Sequence, residues 1–160
     1  MQLTRYTDYA LRVLIYLAHK RDQGDEITTI SEISTAYKVS ENHLMKIVHD
    51  LGKQGYITTV RGKGGGMRLA RSPEEINLGE VVRNTEETLH VVECLAEGYD
   101  GGCRLAPTCL LKGVLQEAHA AFFEHLDRYT VKDLVGKRPI FATVQFHPQA
   151  AGKGKAKHLA

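Results

Sequence analysis

The fold class follows from the segment Ser40-Glu41-Asn42-His43-Leu44-Met45-Lys46-Ile47-Val48-His49-Asp50-Leu51-Gly52-Lys53-Gln54. Ser40 is a favourable helix N-cap, and Gly55 follows the segment as a terminator. Four apolar residues between them recur three and four positions apart, as on the buried face of an amphipathic helix: Leu44, Ile47, Val48 and Leu51. The segment therefore predicts a helix that packs on a core and presents a polar outer face.

A shorter helical pattern precedes this segment. Thr29 or Ser31 can open it, and Ile30, Ile33 and Tyr37 share one of its faces. A short helix, a tight turn and a capped amphipathic helix are typical of a helix-turn-helix, whose second helix lies in the major groove of DNA.

The predicted recognition helix offers polar side chains from its first turns. Asn42 and His43 would read base edges, and Lys46 would contact a phosphate. The exposed candidates at this end of the helix, with the capping residue, are Ser40, Glu41, Asn42, His43 and Lys46. A solvated helix face has a similar composition, so this pattern alone leaves both interpretations open.

The residues that follow predict a β wing. Strand-like runs at 56–60 and 67–70 flank a tip that reads Arg61-Gly62-Lys63-Gly64-Gly65-Gly66. Glycines such as Gly64 and Gly65 let a backbone approach a phosphate, while Arg61 and Lys63 supply positive charge. The tip lacks the spacing of a nucleotide-binding P-loop, and its position after a helix-turn-helix argues against a merely flexible hairpin.

Two further helices are predicted outside this region. Thr7 can cap a first helix, in which Asp8 lies in the first turn and can pair with Arg12 one turn later. Apolar residues between 110 and 129 alternate four and three positions apart over about 30 Å of helix. The apolar stripe is wider than a small winged domain needs, which predicts a homodimer, with packing on its own domain as the alternative.

The three cysteines of the chain lie in one stretch, at Cys94, Cys103 and Cys109. A disulfide would leave one thiol over, and the first thirty residues contain no secretory leader, which favours a reducing cytoplasm. Thiolates suit zinc, copper(I) and iron-sulfur clusters, with a fourth ligand still to be supplied. The spacing matches neither zinc ribbons nor ferredoxins, so free thiols in a flexible loop remain the alternative.

Composition is that of an ordinary soluble chain, with 42% hydrophobic and 25% charged residues and a net charge of +2. The positive charge is concentrated between Ser40 and Ser72, around the predicted helix-turn-helix and wing. We expect no membrane anchor, and the lysine-rich segment 136–160 is predicted to be a disordered tail.

Several motifs together resemble the IscR/NsrR family of iron-sulfur winged-helix repressors, and within it the members that sense nitric oxide. The resemblance extends to Val135. It rests on the three cysteines and on short motifs at Met1–Thr4, Thr7–Tyr9 with Leu11–Arg12, Val39–Ser40 with Asn42–His43 and Lys46–Ile47, and Val60–Lys63 with Gly65–Gly66 and Arg68–Leu69.

The resemblance implies a mainly α fold with a small β wing, in a homodimeric repressor that binds palindromic promoter DNA. It implies one iron-sulfur cluster per protomer, either 2Fe–2S or 4Fe–4S, ligated by Cys94, Cys103 and Cys109. The fourth ligand would be Asp8 of the partner subunit, which would pair with Arg12 when the cluster is lost. Nitric oxide would then release the repressor from DNA by nitrosylating the cluster.

The implied organisation has four parts: a winged helix-turn-helix domain over 1–85, a cluster-binding loop over 86–109, a dimerisation helix region over 110–135 and the tail. The gap from Cys94 to Cys103 is longer than is usual in the family, and Asp100 within it is an alternative oxygen ligand. Two other functions stay open. One is a regulator that senses iron-sulfur supply or redox state, or that binds zinc. The other, an iron-sulfur enzyme or electron carrier, is disfavoured because no catalytic motif accompanies the cysteines.

Overall fold

The structure is a computed structural model that describes residues 2–105 and 108–135. The predicted tail, 136–160, lies outside the described residues. The helices are α1 (Arg5–Asp22), α2 (Ile30–Tyr37), α3 (Glu41–Lys53), α4 (Leu78–Thr85), α5 (Leu110–Leu126) and α6 (Val131–Val135). The strands are β1 (Ile57–Val60) and β2 (Gly66–Leu69), and short 3₁₀ helices cover Pro73–Glu75 and Glu93–Leu95. This mainly α architecture with a small β wing confirms the predicted fold class.

The core is built around α1, which packs against α3, α4, α6 and β2. Ala10, Val13 and Leu14 of α1 have no exposed surface. The apolar stripe predicted for α3 is buried as expected: Leu44, Ile47, Val48 and Leu51. Val131 of α6 belongs to the same buried cluster, so the segment after α5 returns to the core that α1 organises.

The helix-turn-helix is fixed by local hydrogen bonds. Thr29 caps α2 in a reciprocal capping box with Glu32. Lys38 ends that helix in the left-handed conformation, with φ 54°, and Ser40 caps α3. Caps and turn therefore determine where one helix ends and the next begins, as the sequence predicts.

The wing consists of the antiparallel strands β1 and β2, in which Ile57 pairs with Leu69 and Val60 pairs with Gly66. The strands end within one residue of the predicted runs. A second bridge joins Thr28 to Met67 through two backbone hydrogen bonds of 2.8 and 2.9 Å. The wing is thus attached to the segment that enters α2 as well as to α3.

The first helix begins earlier than the sequence suggests. Thr4, rather than Thr7, is the N-cap, and its side chain accepts a hydrogen bond from the backbone N–H of Thr7 at 3.2 Å. Thr7 is buried inside the first turn. Glu86 holds the cap in place, since it accepts hydrogen bonds from the backbone and the hydroxyl of Thr4 at 2.8 and 3.1 Å.

Candidate DNA interface and metal centre

The outer face of α3 has the exposure that groove reading requires. The side chains at its N-terminal end are all exposed: Ser40, Glu41, Asn42, His43 and Lys46. The Ser40 hydroxyl lies 3.1 Å from Nδ1 of His43, so the cap also orients one of the two candidate base-reading side chains. A helix that is buried along one stripe and open along the other can enter a groove without disturbing the core.

Tyr6 fastens this helix to α1. Its hydroxyl donates to Oδ2 of Asp50 at 2.8 Å, and Lys46 Nζ lies 5.9 Å from the centre of its ring. Burial, followed by the hydrogen bond to Asp50, raises the pKa of Tyr6. Lys46, predicted as a phosphate contact, is therefore positioned by a cation–π contact that sequence patterns did not indicate.

The tip of the wing keeps its two cations in solvent, since Arg61 and Lys63 are both exposed. Gly62 and Gly64 have φ values of 99° and 80°, which side chains rarely adopt. Gly65 is required for a different reason: a Cβ atom there would lie 2.8 Å from the carbonyl oxygen of Gly62 and would overlap the backbone of the turn. The glycines thus shape the tip that presents the positive charge.

Asp8 and Arg12 form the predicted pair on α1. Arg12 Nε donates to both carboxylate oxygens, at 2.9 and 3.0 Å, and this hydrogen bond raises the pKa of Arg12. The guanidinium also lies 5.8 Å from the ring centre of Tyr37, the last residue of α2. Both charged side chains are about half exposed, at 46% and 48%, so water competes for the pair.

The cysteines are distributed over a long loop. Cys94 lies in the 3₁₀ helix Glu93–Leu95, which packs against α5, and Cys109 is the N-cap of α5. Each of the three thiols, including that of Cys103, is free and half-buried. Each thiol is therefore a possible ligand that solvent can partly reach.

By the chemistry of the donor set, these residues fit a soft metal or an iron-sulfur cluster. Within residues 2–105 and 108–135, however, no three His, Cys, Asp or Glu side chains come together in an arrangement that could hold a metal ion. The three cysteines and Asp8 are thus not brought together in a single protomer.

The long helix α5 leaves most of its apolar surface open. Only Phe123 is fully buried among its residues. Leu110, Leu111 and Val114 are 87%, 62% and 61% exposed. The N-terminal half of α5 therefore does not pack on the rest of the protomer, in contrast to the alternative in which the whole helix does so.

The other end of α5 is fixed to α4. Arg83 donates two hydrogen bonds of 2.7 Å to the carboxylate of Asp127 and lies 4.5 Å from the ring centre of Phe123. The Asn77 amide donates to the backbone carbonyls of Asp127 and Tyr129 at 2.7 and 3.3 Å. Sequence patterns did not reveal these contacts between α4 and the end of α5, because the partners are 44 and 50 residues apart.

Comparison with known proteins identifies the family. The profile of the Rrf2 family, described as an iron-dependent transcriptional regulator, matches residues 3–137. The chain belongs to the Rrf2 family. It is 51% identical over 138 residues to the helix-turn-helix-type transcriptional regulator NsrR of Geobacillus kaustophilus, covering 86% of this chain and 92% of that protein. It is 50% identical over 135 residues to NsrR of Bacillus subtilis, covering 84% and 90%.

Two solved structures have the same architecture as this chain. CymR, the global cysteine regulator of B. subtilis, superposes with a TM-score of 0.69 at 27% identity, over 84% of this chain and 96% of that one. IscR of T. potens gives a TM-score of 0.66 at 24% identity, over 84% and 86%, and supports the fold alone.

These findings confirm the resemblance to IscR/NsrR regulators. The chain is a transcriptional regulator and not an enzyme, in agreement with its relatives. Among the helices of the described residues, none has the length and apolar character needed to cross a membrane.

Proposed function

We propose that this Rrf2 protein is a homodimeric repressor that binds palindromic promoter DNA, senses nitric oxide through an iron-sulfur cluster and releases the DNA when the cluster is nitrosylated. The observation that carries the proposal is the position of Asp8. Asp8 lies on α1, which Tyr6 fastens to the recognition helix. Its partner Arg12 is half-exposed, so the carboxylate can leave Arg12 and bind another group.

DNA binding would combine the two exposed elements of the winged domain. Asn42 and His43 would contact base edges, Lys46 a phosphate, and the wing cations Arg61 and Lys63 the neighbouring backbone. Because Ser40 caps α3 at the end that carries these side chains, the partial positive charge of the helix N-terminus would face the DNA as well.

Dimerisation would use the open face of α5. A contiguous apolar surface that includes Leu110, Leu111 and Val114 is unusual on a monomer, and a second copy of the same helix is complementary to it. A two-fold dimer places two recognition helices on two half-sites, which is why we propose a palindromic operator.

The cluster would be held by Cys94, Cys103 and Cys109, with Asp8 of the partner subunit as the fourth ligand. A bound cluster supplies iron that nitric oxide attacks. The protein residues do the rest: the thiols hold one side, and Asp8 ties the first helix of one protomer to the loop of the other. The type of cluster, 2Fe–2S or 4Fe–4S, is left open by this set of ligands.

Loss of the cluster would return Asp8 to Arg12. An exposed pair spaced by four residues stabilises a helix by about 0.3–0.5 kcal/mol, far less than a metal–ligand bond contributes. The pair therefore does not hold Asp8 against ligation, but it gives the carboxylate a partner when ligation ends. Freed from the partner's loop, α1 would no longer fix the spacing of the half-sites, and DNA affinity would fall.

A second candidate is a regulator that responds to iron-sulfur supply or redox state, or that binds zinc. The description of the family as iron-dependent favours the first of these signals. Under this alternative the same loop and the same DNA surface are used, but nitric oxide has no specific effect.

The experiment begins with anaerobically purified protein and assays of iron, sulfide and the visible spectrum before and after stoichiometric nitric oxide. Binding to a palindromic duplex is measured in parallel. We expect nitric oxide to bleach the cluster and weaken DNA binding. A colourless zinc protein, or a cluster indifferent to nitric oxide, would refute the proposed signal.

Two variant pairs locate the function. Asp8→Ala should uncouple nitric oxide from DNA release, whereas Asp25→Ala, which removes another exposed aspartate paired with a cation of α1, should leave the coupling intact. Lys46→Ala should weaken DNA binding about tenfold, and Lys53→Ala in the last turn of α3 should have little effect. Normal coupling in Asp8→Ala would exclude it as the switch.

A further inference from the structure

The recognition helix and the wing are joined by a short connection. Between the end of α3 and the start of β1 lie Gln54, Gly55 and Tyr56, which we call the hinge. Gly55 has a φ of 76°, a conformation that side chains rarely adopt, so the chain turns sharply there. The angle between the two proposed DNA-binding elements therefore depends on the conformation of the hinge.

One side chain from the other end of the wing contacts every residue of the hinge. Arg71 follows β2, and its Nε and Nη2 donate to the backbone carbonyls of Gly55 and Gln54, each at 3.2 Å. Its guanidinium carbon lies 4.6 Å from the centre of the Tyr56 ring. Arg71 therefore closes the base of the wing onto the end of the recognition helix.

Arg71 is itself held by α4. Its Nη1 lies 3.5 Å from Oε1 of Glu80, the oxygen that also accepts a hydrogen bond from the Tyr56 hydroxyl at 3.0 Å. The Asn84 amide donates to the same hydroxyl at 2.8 Å. Tyr56 has no exposed surface, and the Arg71 side chain is 34% exposed. Contacts from α4 thus hold the guanidinium against the hinge.

We propose that Arg71 is a positioning residue for DNA binding: it locks the hinge so that α3 and the wing tip meet one duplex together. The inference rests on the proposed function for the DNA contacts of these two elements, while the locked hinge is a property of the free protein. Two elements held at the right angle before binding lose less conformational entropy when the second one engages.

The wing itself has other supports. Its two strands pair with each other from Ile57 with Leu69 to Val60 with Gly66, and the bridge to Thr28 holds β2 from the opposite side. Loss of the Arg71 side chain should therefore leave the strand pairing intact and change where the wing lies relative to α3.

The test measures binding of cluster-loaded variants to a palindromic duplex by fluorescence anisotropy. Arg71→Ala should bind severalfold more weakly, with a shallower dependence on salt because the wing cations no longer reach their phosphates. Arg61→Ala should weaken the wild type but add little to Arg71→Ala, whereas Lys46→Ala should weaken both equally. Arg71→Lys keeps the charge but lacks the forked donors, so it should bind as weakly as Arg71→Ala.

Arg83→Ala is the matched control. Arg83 also joins α4 to another element through an ion pair and a ring contact, but its partners lie on and after α5 instead of in the hinge. This variant should lose stability while Arg61→Ala keeps its full effect on DNA binding. Additive effects of Arg61→Ala and Arg71→Ala, or wild-type binding by Arg71→Lys, would overturn the proposal.

Hydrogen exchange makes the test independent of DNA. In the free protein the Tyr56 N–H donates to the carbonyl of Leu51 at 2.9 Å, and Arg71→Ala should speed exchange in the peptide that contains the hinge severalfold. Arg83→Ala should leave that exchange unchanged. An unchanged rate in Arg71→Ala would contradict the locked hinge. A wild-type protein that does not bind the duplex would instead refute the proposed function, and the exchange rates would still decide the role of Arg71.

Discussion

Replacing Arg83 by alanine should weaken the packing between α4 and the end of α5 and lower the free energy of unfolding. The guanidinium makes two hydrogen bonds of 2.7 Å to Asp127 and lies against Phe123, which is only 7% exposed. The ion pair is about 40% exposed on both sides, so screening reduces it to about 0.5 kcal/mol. The contact with the ring adds about 0.5–1 kcal/mol.

The expected loss for Arg83→Ala is therefore about 1–1.5 kcal/mol, or a fall of roughly 3–5 °C in Tm for a chain of this size. Thermal and urea unfolding measure it. Arg128→Ala is the matched control, because Arg128 also makes an ion pair at this end of α5 but is 65% exposed, and its loss should stay below about 0.5 kcal/mol. Equal shifts in the two variants would refute the reasoning, as would a zero coupling energy between Arg83 and Asp127 in a double-mutant cycle.

Three further predictions follow from the described contacts. The hydrogen bond from Arg83 lowers the pKa of Asp127 from its usual value of 3.8, so near that pH the folded state binds fewer protons than the unfolded state. The stability that this ion pair contributes should therefore be present above about pH 4 and be lost as the pH falls further. Asp127→Asn should remove this pH dependence from a series of urea-unfolding measurements. Gly65→Ala should distort the wing and weaken DNA binding about tenfold in a fluorescence anisotropy titration, whereas Gly113→Ala, where a Cβ atom meets nothing, should bind DNA normally. Tyr6→Phe should lower the free energy of unfolding by about 1 kcal/mol because Asp50 loses its hydrogen bond, and an unchanged urea midpoint would contradict this.

The helix-turn-helix was predictable because its determinants are local. The caps at Thr29 and Ser40 and the apolar stripe of α3 are readable within about twenty residues of sequence, and the structure confirms each of them. The first helix shows the limit of such patterns. Thr4 and Thr7 are both good capping residues, and the contact that helps to hold Thr4 as the cap comes from Glu86, which is far away in the sequence.

The contacts that organise the candidate site were not predictable, because their partners are far apart in the chain. Tyr6 and Asp50 are separated by 44 residues, and Arg83 and Asp127 by 44 as well. A tyrosine near a helix start and an arginine near a helix end carry no signal of such partners. Gly79 is a related case. A Cβ atom there would overlap the Asp127 carboxylate, but the sequence alone does not show that Asp127 lies beside it.

The packing of α1 constrains how a signal at Asp8 could reach DNA. Ala10, Val13 and Leu14 have no exposed surface, and exposing a side chain such as that of Val13 or Leu14 costs about 1.5–3 kcal/mol. That cost exceeds the roughly 0.5 kcal/mol of the exposed Asp8–Arg12 pair, so exchange of that pair cannot slide α1 through its own domain. Since Tyr6 also fastens α1 to the recognition helix, the two helices should move together. We therefore expect release of Asp8 to change the spacing between two intact winged domains, with each domain keeping its internal structure.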